Sequence, residues 1–132
     1  MAGVRKDRPT IFDNLRLYRI RIEQRQEELQ ELEHLKKHLQ PETYRRIKAH
    51  ALQVIKADRE ARDKLIAIIN AHPDALQRKV IYYRWVKEYR AEDVASLMGY
   101  ADAYIRAVYW HGMKNYYTDP AGKLPGLDTK EG

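Results

Sequence analysis

Residues 91–110, AEDVASLMGYADAYIRAVYW, are the stretch of sequence that decides the fold. The pattern predicts two short helices joined by a turn at Gly99, because glycine adopts the positive φ of a helix end at little cost. Ala95 supplies the short side chain that two closely crossing helices need at their contact. Apolar positions recur at helical spacing in both halves, at Val94 and Met98 and then at Ile105 and Val108. The segment therefore predicts a helix-turn-helix, whose second helix packs by one stripe and leaves its other face outward.

A third apolar helix precedes this segment and would complete a small core. Residues 74–89 carry apolar side chains at helical spacing, and the inward positions are Leu76, Val80, Ile81, Trp85 and Val86. Three helices of this size bury one another's apolar stripes. We therefore expect helices over residues 74–89, 91–98 and 102–117, which together form one domain over residues 71–117.

The N-terminal half predicts two long helices that either fold back as a hairpin or extend. Leucine, isoleucine and tyrosine recur at spacings of three, four and seven over residues 13–39, interleaved with glutamates. Pro41 interrupts that helix, because proline disfavours a helical conformation in the residue before it. A second helix then spans residues 42–70, and helix propensity favours its continuing through the charged middle, KADREARDK, at residues 56–64. Residues 13–70 would mediate self-association or contact a partner.

The two ends of the chain predict less structure. Residues 1–12 indicate a disordered arm, and residues 118–132, TDPAGKLPGLDTKEG, indicate a flexible tail rich in proline and glycine. The predicted fold class is therefore all-α: an N-terminal long helical hairpin or coiled-coil-like segment, followed by a C-terminal helix-turn-helix domain.

The chain is basic, which bears on its partners. Its 132 residues carry a formal net charge of +6, with a pI of about 9.5. A positive excess favours a polyanion such as double-stranded DNA. The chain has no cysteine, which excludes disulfides and thiolate metal sites. No apolar run approaches the roughly 20 residues of a membrane span, and MAGVRKDRP lacks the apolar core of a secretory signal. We expect a cytoplasmic protein without a membrane partner.

Catalytic and metal-binding patterns are missing from the sequence. Neither GxxxxGK nor GxGxxG occurs, and the single serine, Ser96, lies in no nucleophile elbow. His34 and His38 share one helix face at i and i+4, but no third metal ligand is evident nearby. The paired carboxylates fall in helical charge patterns that a solvated face explains. The sequence therefore predicts no enzyme, no cofactor and no metal.

Residues 65–117, LIAIINAHPDALQRKVIYYRWVKEYRAEDVASLMGYADAYIRAVYWHGMKNYY, resemble the C-terminal domain of the phage regulators RinA and ArpU and of their small prophage relatives. That domain is similar to region 4 of sigma-70 factors. The N-terminal LRLYRIRIEQRQEELQEL also looks like the leading helix of the prophage relatives. The matching residues are Ile69, Asp74, Arg78, Val80, Ile81, Arg84, Trp85, Val86, Tyr89, Val94, Ala95, Met98, Gly99 and Tyr100. The resemblance implies a transcriptional regulator of phage or prophage type, acting in the bacterial host cell.

Two positions depart from the family pattern. Relatives often have a tryptophan just after the Tyr89 position, where this chain has Arg90, and a serine where it has Ala101. The family's serine would cap the second helix of the motif. Asp102 is expected to act as the N-cap instead, because aspartate accepts hydrogen bonds from free backbone N–H groups. The resemblance therefore implies a shared fold, but it does not imply that this chain recognises the same DNA sequence as the family.

The face opposite Ile105 and Val108 would contact double-stranded DNA, with the helix of residues 102–117 in the major groove. Arg106 is the best candidate to contact a base, because its planar guanidinium matches guanine O6 and N7. Lys114, His111 and Arg90 suit phosphates, as does Lys87, and such contacts orient rather than specify. The predicted contact residues are Arg90, Asp102, Ala103, Tyr104, Arg106, Ala107, Trp110, His111 and Lys114.

Aromatic residues concentrate in residues 82–117, which hold eight of the ten tyrosines and both tryptophans. They would either stack on single-stranded nucleic acid or fill a small helical core. We favour the core for Trp85, for Tyr82 or Tyr83, and for Tyr109, whereas Trp110 falls toward the DNA face.

The leading hypothesis is a sequence-specific, double-stranded DNA-binding regulator of transcription. One alternative is a helical interaction protein that docks on RNA polymerase. Another is a small terminase-like DNA-packaging subunit, since those proteins also combine helix-turn-helix units with helical oligomerisation segments. A homodimer would place two recognition helices on half-sites about 34–36 Å apart.

Overall fold

A computed structural model describes residues 10–117 of the chain, and these residues fold as α-helices. A long N-terminal helical hairpin is followed by a small three-helix unit, which confirms the predicted all-α class. The helices in chain order are α1 (Leu15–Leu35), α2 (Pro41–Asn70), α3 (Ala75–Trp85), α4 (Ala91–Met98) and α5 (Asp102–Met113), with a short 3-10 turn at Lys36–His38. Within the described residues, no helix combines the length and apolar character needed to cross a membrane.

The described residues form two compact units, and the boundary between them falls inside α2. The hairpin unit is Leu15–Lys64, and the second unit combines residues 10–14 with residues 65–117. The sequence predicts that the N-terminal segment ends at residue 70, which is where α2 ends. The helix is continuous through the charged residues 56–64, as propensity predicted.

The hairpin reverses direction at the predicted proline. Leu39 has extended backbone angles, φ −108° and ψ 148°, and Pro41 opens α2, where its missing N–H costs no hydrogen bond. The first helix ends four residues earlier than expected, at Leu35, because the 3-10 turn tightens the chain before the reversal.

The two helices of the hairpin bury one stripe each. The most buried side chains are Leu15, Ile22 and Leu32 of α1, and Tyr44, Ala51 and Ile55 of α2. Asp58 is also buried, and its carboxylate lies 3.2 Å from Nε of Arg21. A buried carboxylate is costly unless it is paired, so this ion pair also orients α1 against α2.

The C-terminal unit is built around α5. Its innermost residues come from all three helices: Val80 of α3, Val94 and Ala95 of α4, and Ile105 and Val108 of α5. Asp74 caps α3, because its carboxylate accepts a hydrogen bond of 2.8 Å from the backbone N–H of Gln77.

Residues 10–12 are packed into this unit, which corrects their assignment to a disordered arm. Phe12 is fully buried, and its ring centroid lies 4.9 Å from that of Tyr116 and 5.9 Å from that of Trp85. The backbone N–H of Ile11 donates to the carbonyl of Tyr116 at 3.1 Å. The apolar area of a buried phenylalanine outweighs the entropy of ordering so short a segment. The rest of the predicted arm, residues 1–9, and the predicted tail, residues 118–132, lie outside the described residues.

Two helices end earlier than the periodicity predicted. The third helix stops at Trp85 rather than residue 89, because Glu88 has a positive φ of 60° and the N–H of Tyr89 turns back to the carbonyl of Tyr83. The fifth helix stops at Met113 rather than residue 117, and Tyr117 instead forms an isolated antiparallel bridge with Thr10.

Candidate nucleic-acid interface

The turn between α4 and α5 has the geometry that the sequence predicted. Gly99 lies in the left-handed region, with φ 76° and ψ 30°, and its N–H donates to the carbonyl of Ala95 at 2.9 Å. The N–H of Tyr100 donates to the same carbonyl at 3.0 Å. These two bonds satisfy free backbone groups at the end of α4 and redirect the chain sharply into α5.

The start of α5 differs from the expected cap. The N-cap is Ala101, in an extended conformation and without a side-chain hydrogen bond, and Asp102 is the first helical residue. The prediction that Asp102 is the N-cap was therefore wrong. Its carboxylate still lies in the first turn, where the partial positive charge of the helix N-terminus stabilises an anion.

Every predicted contact residue is exposed. Ile105 is fully buried and Val108 is 8% exposed, so α5 packs by the stripe that was expected. The exposed positions include Arg90 at the start of α4, and on or just beyond α5 Asp102, Ala103, Tyr104, Arg106, Ala107, Trp110, His111 and Lys114. On a helical wheel, Ala103, Arg106, Ala107, Trp110 and Lys114 share the side of α5 opposite the buried stripe. We call these five residues the outward face.

A groove runs along one edge of the outward face. It has a volume of about 450 Å³, and Arg106, Ala107 and Trp110 line it from α5. The opposite wall holds Ala91, the first residue of α4, and Arg84 of α3; the ring of Tyr109 completes the lining. Two guanidinium groups thus border a largely apolar depression beside the candidate recognition helix.

Arg84 is a candidate contact residue that the sequence analysis did not include in the site. Its Nη1 donates to the carbonyl of Tyr89 at 2.9 Å, and its Cζ lies 5.1 Å from the centroid of the Tyr109 ring. Both contacts hold the guanidinium in place while leaving it at the groove. The signal in the sequence was its match to the family motif, but its position beside Arg106 follows only from the way α3 crosses α5.

An exposed aromatic pair borders the other edge of the outward face. The rings of Tyr100 and Tyr104 lie 5.0 Å apart, and both residues are nearly half exposed. Leu97, on the last turn of α4, is 61% exposed. Tyr104 was a predicted contact, whereas Tyr100 and Leu97 were not.

Arg90 is less available to bind a DNA phosphate than the sequence predicted. Its Nε lies 3.7 Å from a carboxylate oxygen of Glu92 and 3.9 Å from one of Asp93. Its backbone N–H also donates to Asp93 at 3.2 Å, which caps α4. The guanidinium is therefore exposed but already has two anionic neighbours.

The aromatic residues mostly pack against one another in this unit. Trp85 and Tyr109 are half-buried, as are Tyr82 and Tyr83, whereas Tyr116 and Tyr117 are buried. Burial raises the pKa of Tyr109, and the nearby Arg84 partly opposes that rise; burial also raises the pKa of Tyr116. Trp110 is 39% exposed and meets the Tyr117 ring edge-on at 5.6 Å. These contacts support the core interpretation.

Metal ligands do not converge in the part of the chain that the structure describes. No group of three or more His, Cys, Asp or Glu side chains lies close enough to hold an ion there. His34 and His38 therefore have no third ligand within residues 10–117.

Comparison with known proteins leaves the resemblance to phage regulators as an expectation. No protein-family model, curated protein or solved structure matches the chain.

Proposed function

We propose that the chain is a sequence-specific, double-stranded DNA-binding regulator of transcription, of the phage or prophage type that its resemblance implies. The observation that carries the proposal is the division of α5 into two faces. Ile105 and Val108 are buried, while the outward face is exposed along the length of the helix. A helix held by one stripe with its other side in solvent is the arrangement that a recognition helix needs.

The proposed contacts divide into two classes. Arg106 makes the base contact, because a bidentate guanidinium distinguishes guanine from the other bases by about 1–3 kcal/mol. Lys114 and His111, which lie toward the end of α5, contact phosphates together with Arg84 across the groove. Phosphate contacts set the register of the protein on the duplex and are similar for all sequences.

The test is selection from a pool of random-sequence DNA duplexes with the purified chain, followed by binding assays on the enriched duplexes. We expect a shared sequence motif and a binding constant that falls steeply with salt. Two adjoining half-sites related by symmetry would favour a homodimer. Failure to enrich any motif, with binding equal for all duplexes, would contradict sequence-specific regulation.

A second candidate function, docking on RNA polymerase, is favoured by the exposed apolar residues beside the turn. Leu97 and Tyr100 are exposed although neither lies on the outward face of α5. If they contact polymerase, the chain should co-purify with the enzyme in the absence of promoter DNA, and Leu97→Ser should abolish that association. An unchanged yield with Leu97→Ser would exclude this surface.

A further inference from the structure

The turn of the hairpin carries a dense group of cations. Residues 33–50 contain five Lys or Arg residues and two Glu, together with three histidines. The cations are Lys36, Lys37, Arg45, Arg46 and Lys48. We call these five residues the basic tip. Nothing in the helix-turn-helix account uses them.

Tyr44 brings two members of the basic tip, Lys36 and Lys48, together. Nζ of Lys36, on the 3-10 turn, lies 5.0 Å from the centroid of the Tyr44 ring, and Nζ of Lys48 lies 5.6 Å from it. The Tyr44 hydroxyl donates to a carboxylate oxygen of Glu33, which also lies 3.7 Å from Nζ of Lys48. The start of α2 is thereby fixed against the end of α1, and Lys36 of the 3-10 turn and Lys48 of α2 both lie against the Tyr44 ring. Lys37 follows Lys36 in the chain, and Arg45 and Arg46 follow Tyr44.

Most of this charge is not neutralised by the protein. Glu33 forms an ion pair with Lys48 and so neutralises its charge. By contrast, Lys37, Arg45 and Arg46 are exposed and have no ion-pair or hydrogen-bond partner among residues 10–117. On α1, by contrast, Arg25 pairs with Glu28 at 2.8 Å and Arg19 with Glu23 at 3.3 Å. Like charges placed close together repel one another, so a cluster of this kind is stabilised by an external anion.

We propose that the basic tip is a second contact for double-stranded DNA, binding backbone phosphates independently of the outward face of α5. Duplex DNA carries one charge per roughly 1.7 Å of its axis, a density that matches several adjacent cations. An acidic protein is a poorer fit, because stable protein interfaces bury about 800 Å² per partner around an apolar centre. The large apolar residues exposed near the tip are Leu35, Ile47 and, one turn beyond Lys48, Leu52, and each is already about half covered.

This inference rests on the proposed function only in taking duplex DNA as the polyanion. The test measures binding of a mixed-sequence DNA duplex to the full chain by fluorescence anisotropy over a series of NaCl concentrations. The tip variant is Arg45→Gln/Arg46→Gln. The matched control is Lys56→Gln/Arg59→Gln, which removes two exposed and unpaired cations from the same helix outside the tip.

We expect the affinity for duplex DNA to fall in the tip variant and not in the control. Each lost phosphate contact lowers the slope of log K against log [salt] by about 0.9, so the slope should fall by about two and the affinity at low salt at least about tenfold. The control should bind nearly as wild type. Equal losses in both variants, or an unchanged slope in the tip variant, would overturn the proposal.

Two further outcomes separate this inference from the proposed function. Wild-type binding that lacks sequence selectivity but keeps a tip-dependent salt slope would support the tip contact and contradict sequence-specific regulation. Poly-glutamate serves as the probe for an acidic protein. If the tip variant loses poly-glutamate binding by the same factor as duplex binding, the tip is a general site for acidic chains and the phosphate assignment is overturned.

Discussion

Gly112 of α5 lies so close to Ile81 of α3 that a β-carbon added at Gly112 would force a neighbouring side chain to shift. A β-carbon added at Gly112 would lie 2.9 Å from Cδ1 of Ile81 and 3.1 Å from Cβ of Gln77. Ile81 is fully buried, so its Cδ1 methyl group cannot relieve the clash by moving out toward solvent. This contact limits how closely α5 can approach α3, the helices that carry Arg106 and Arg84 to the groove.

Gly112→Ala is expected to destabilise the protein, although alanine favours helices by about 1 kcal/mol over glycine. Overpacking a core costs about 1–3 kcal/mol, so the net loss of unfolding free energy, measured in urea, should be at most about 2 kcal/mol. Ile81→Val removes the clashing Cδ1, and the Gly112→Ala penalty should shrink in that background. Equal penalties in both backgrounds would show that Ile81 does not limit the approach of α5.

Phe12→Ala should cost about 3–5 kcal/mol, the usual range for removing a fully buried phenylalanine ring. The loss follows from its contacts with Tyr116 and Trp85, which hold residues 10–14 in the C-terminal unit. Leu97→Ala, which truncates a side chain that is 61% exposed, is the control and should change the unfolding free energy little. Similar values for both variants would mean that Phe12 is not part of the core.

Burial raises the pKa of Tyr109, which predicts a specific pH dependence of stability. A folded-state pKa above the unfolded value means that the folded state holds the proton more tightly. The stabilisation is therefore fully present below the unfolded value of about 10 and is lost as the pH rises through the folded-state pKa.

Tyr109→Phe should reduce the fall in unfolding free energy above about pH 10, and a near-ultraviolet titration of the phenolates should lose a late-ionising group. Tyr104→Phe is the control, because that ring is nearly half exposed. An identical loss of absorbance from both variants in the same pH range would contradict the burial of Tyr109.

The two short helices α4 and α5 and the turn between them were predictable because their signals are local. Gly99 marks the turn, Ala95 the close contact and Ile105 the buried stripe, and each follows from spacing within a few residues. The break between the two long helices was predictable from Pro41 for the same reason, whereas the periodicity left open whether the helices fold back or extend.

The remaining features depend on contacts between residues far apart in sequence. Phe12 is separated from Trp85 and Tyr116 by most of the chain, so no local pattern placed it in the core. The end of α3 depends on the left-handed backbone at Glu88, which is unusual for a residue other than glycine. Arg84 and Arg106 line one groove only because α3 packs against α5.

Lys114→Ala should weaken binding to all duplexes by a similar factor and lower the salt slope by about 0.9, because a phosphate contact carries no sequence information. Titration of the selected duplex and of an unrelated duplex measures both effects. A loss confined to the selected duplex would assign Lys114 to a base rather than to the backbone.

The most direct test of the central claim, that the outward face of α5 recognises DNA sequence, is the affinity of Arg106→Ala for the selected duplex and for versions of it with one base pair changed. We predict a loss of about 1–3 kcal/mol on the selected duplex and a smaller penalty for changing one particular G·C pair than wild type shows. Wild-type affinity with wild-type discrimination at every base pair would contradict the account.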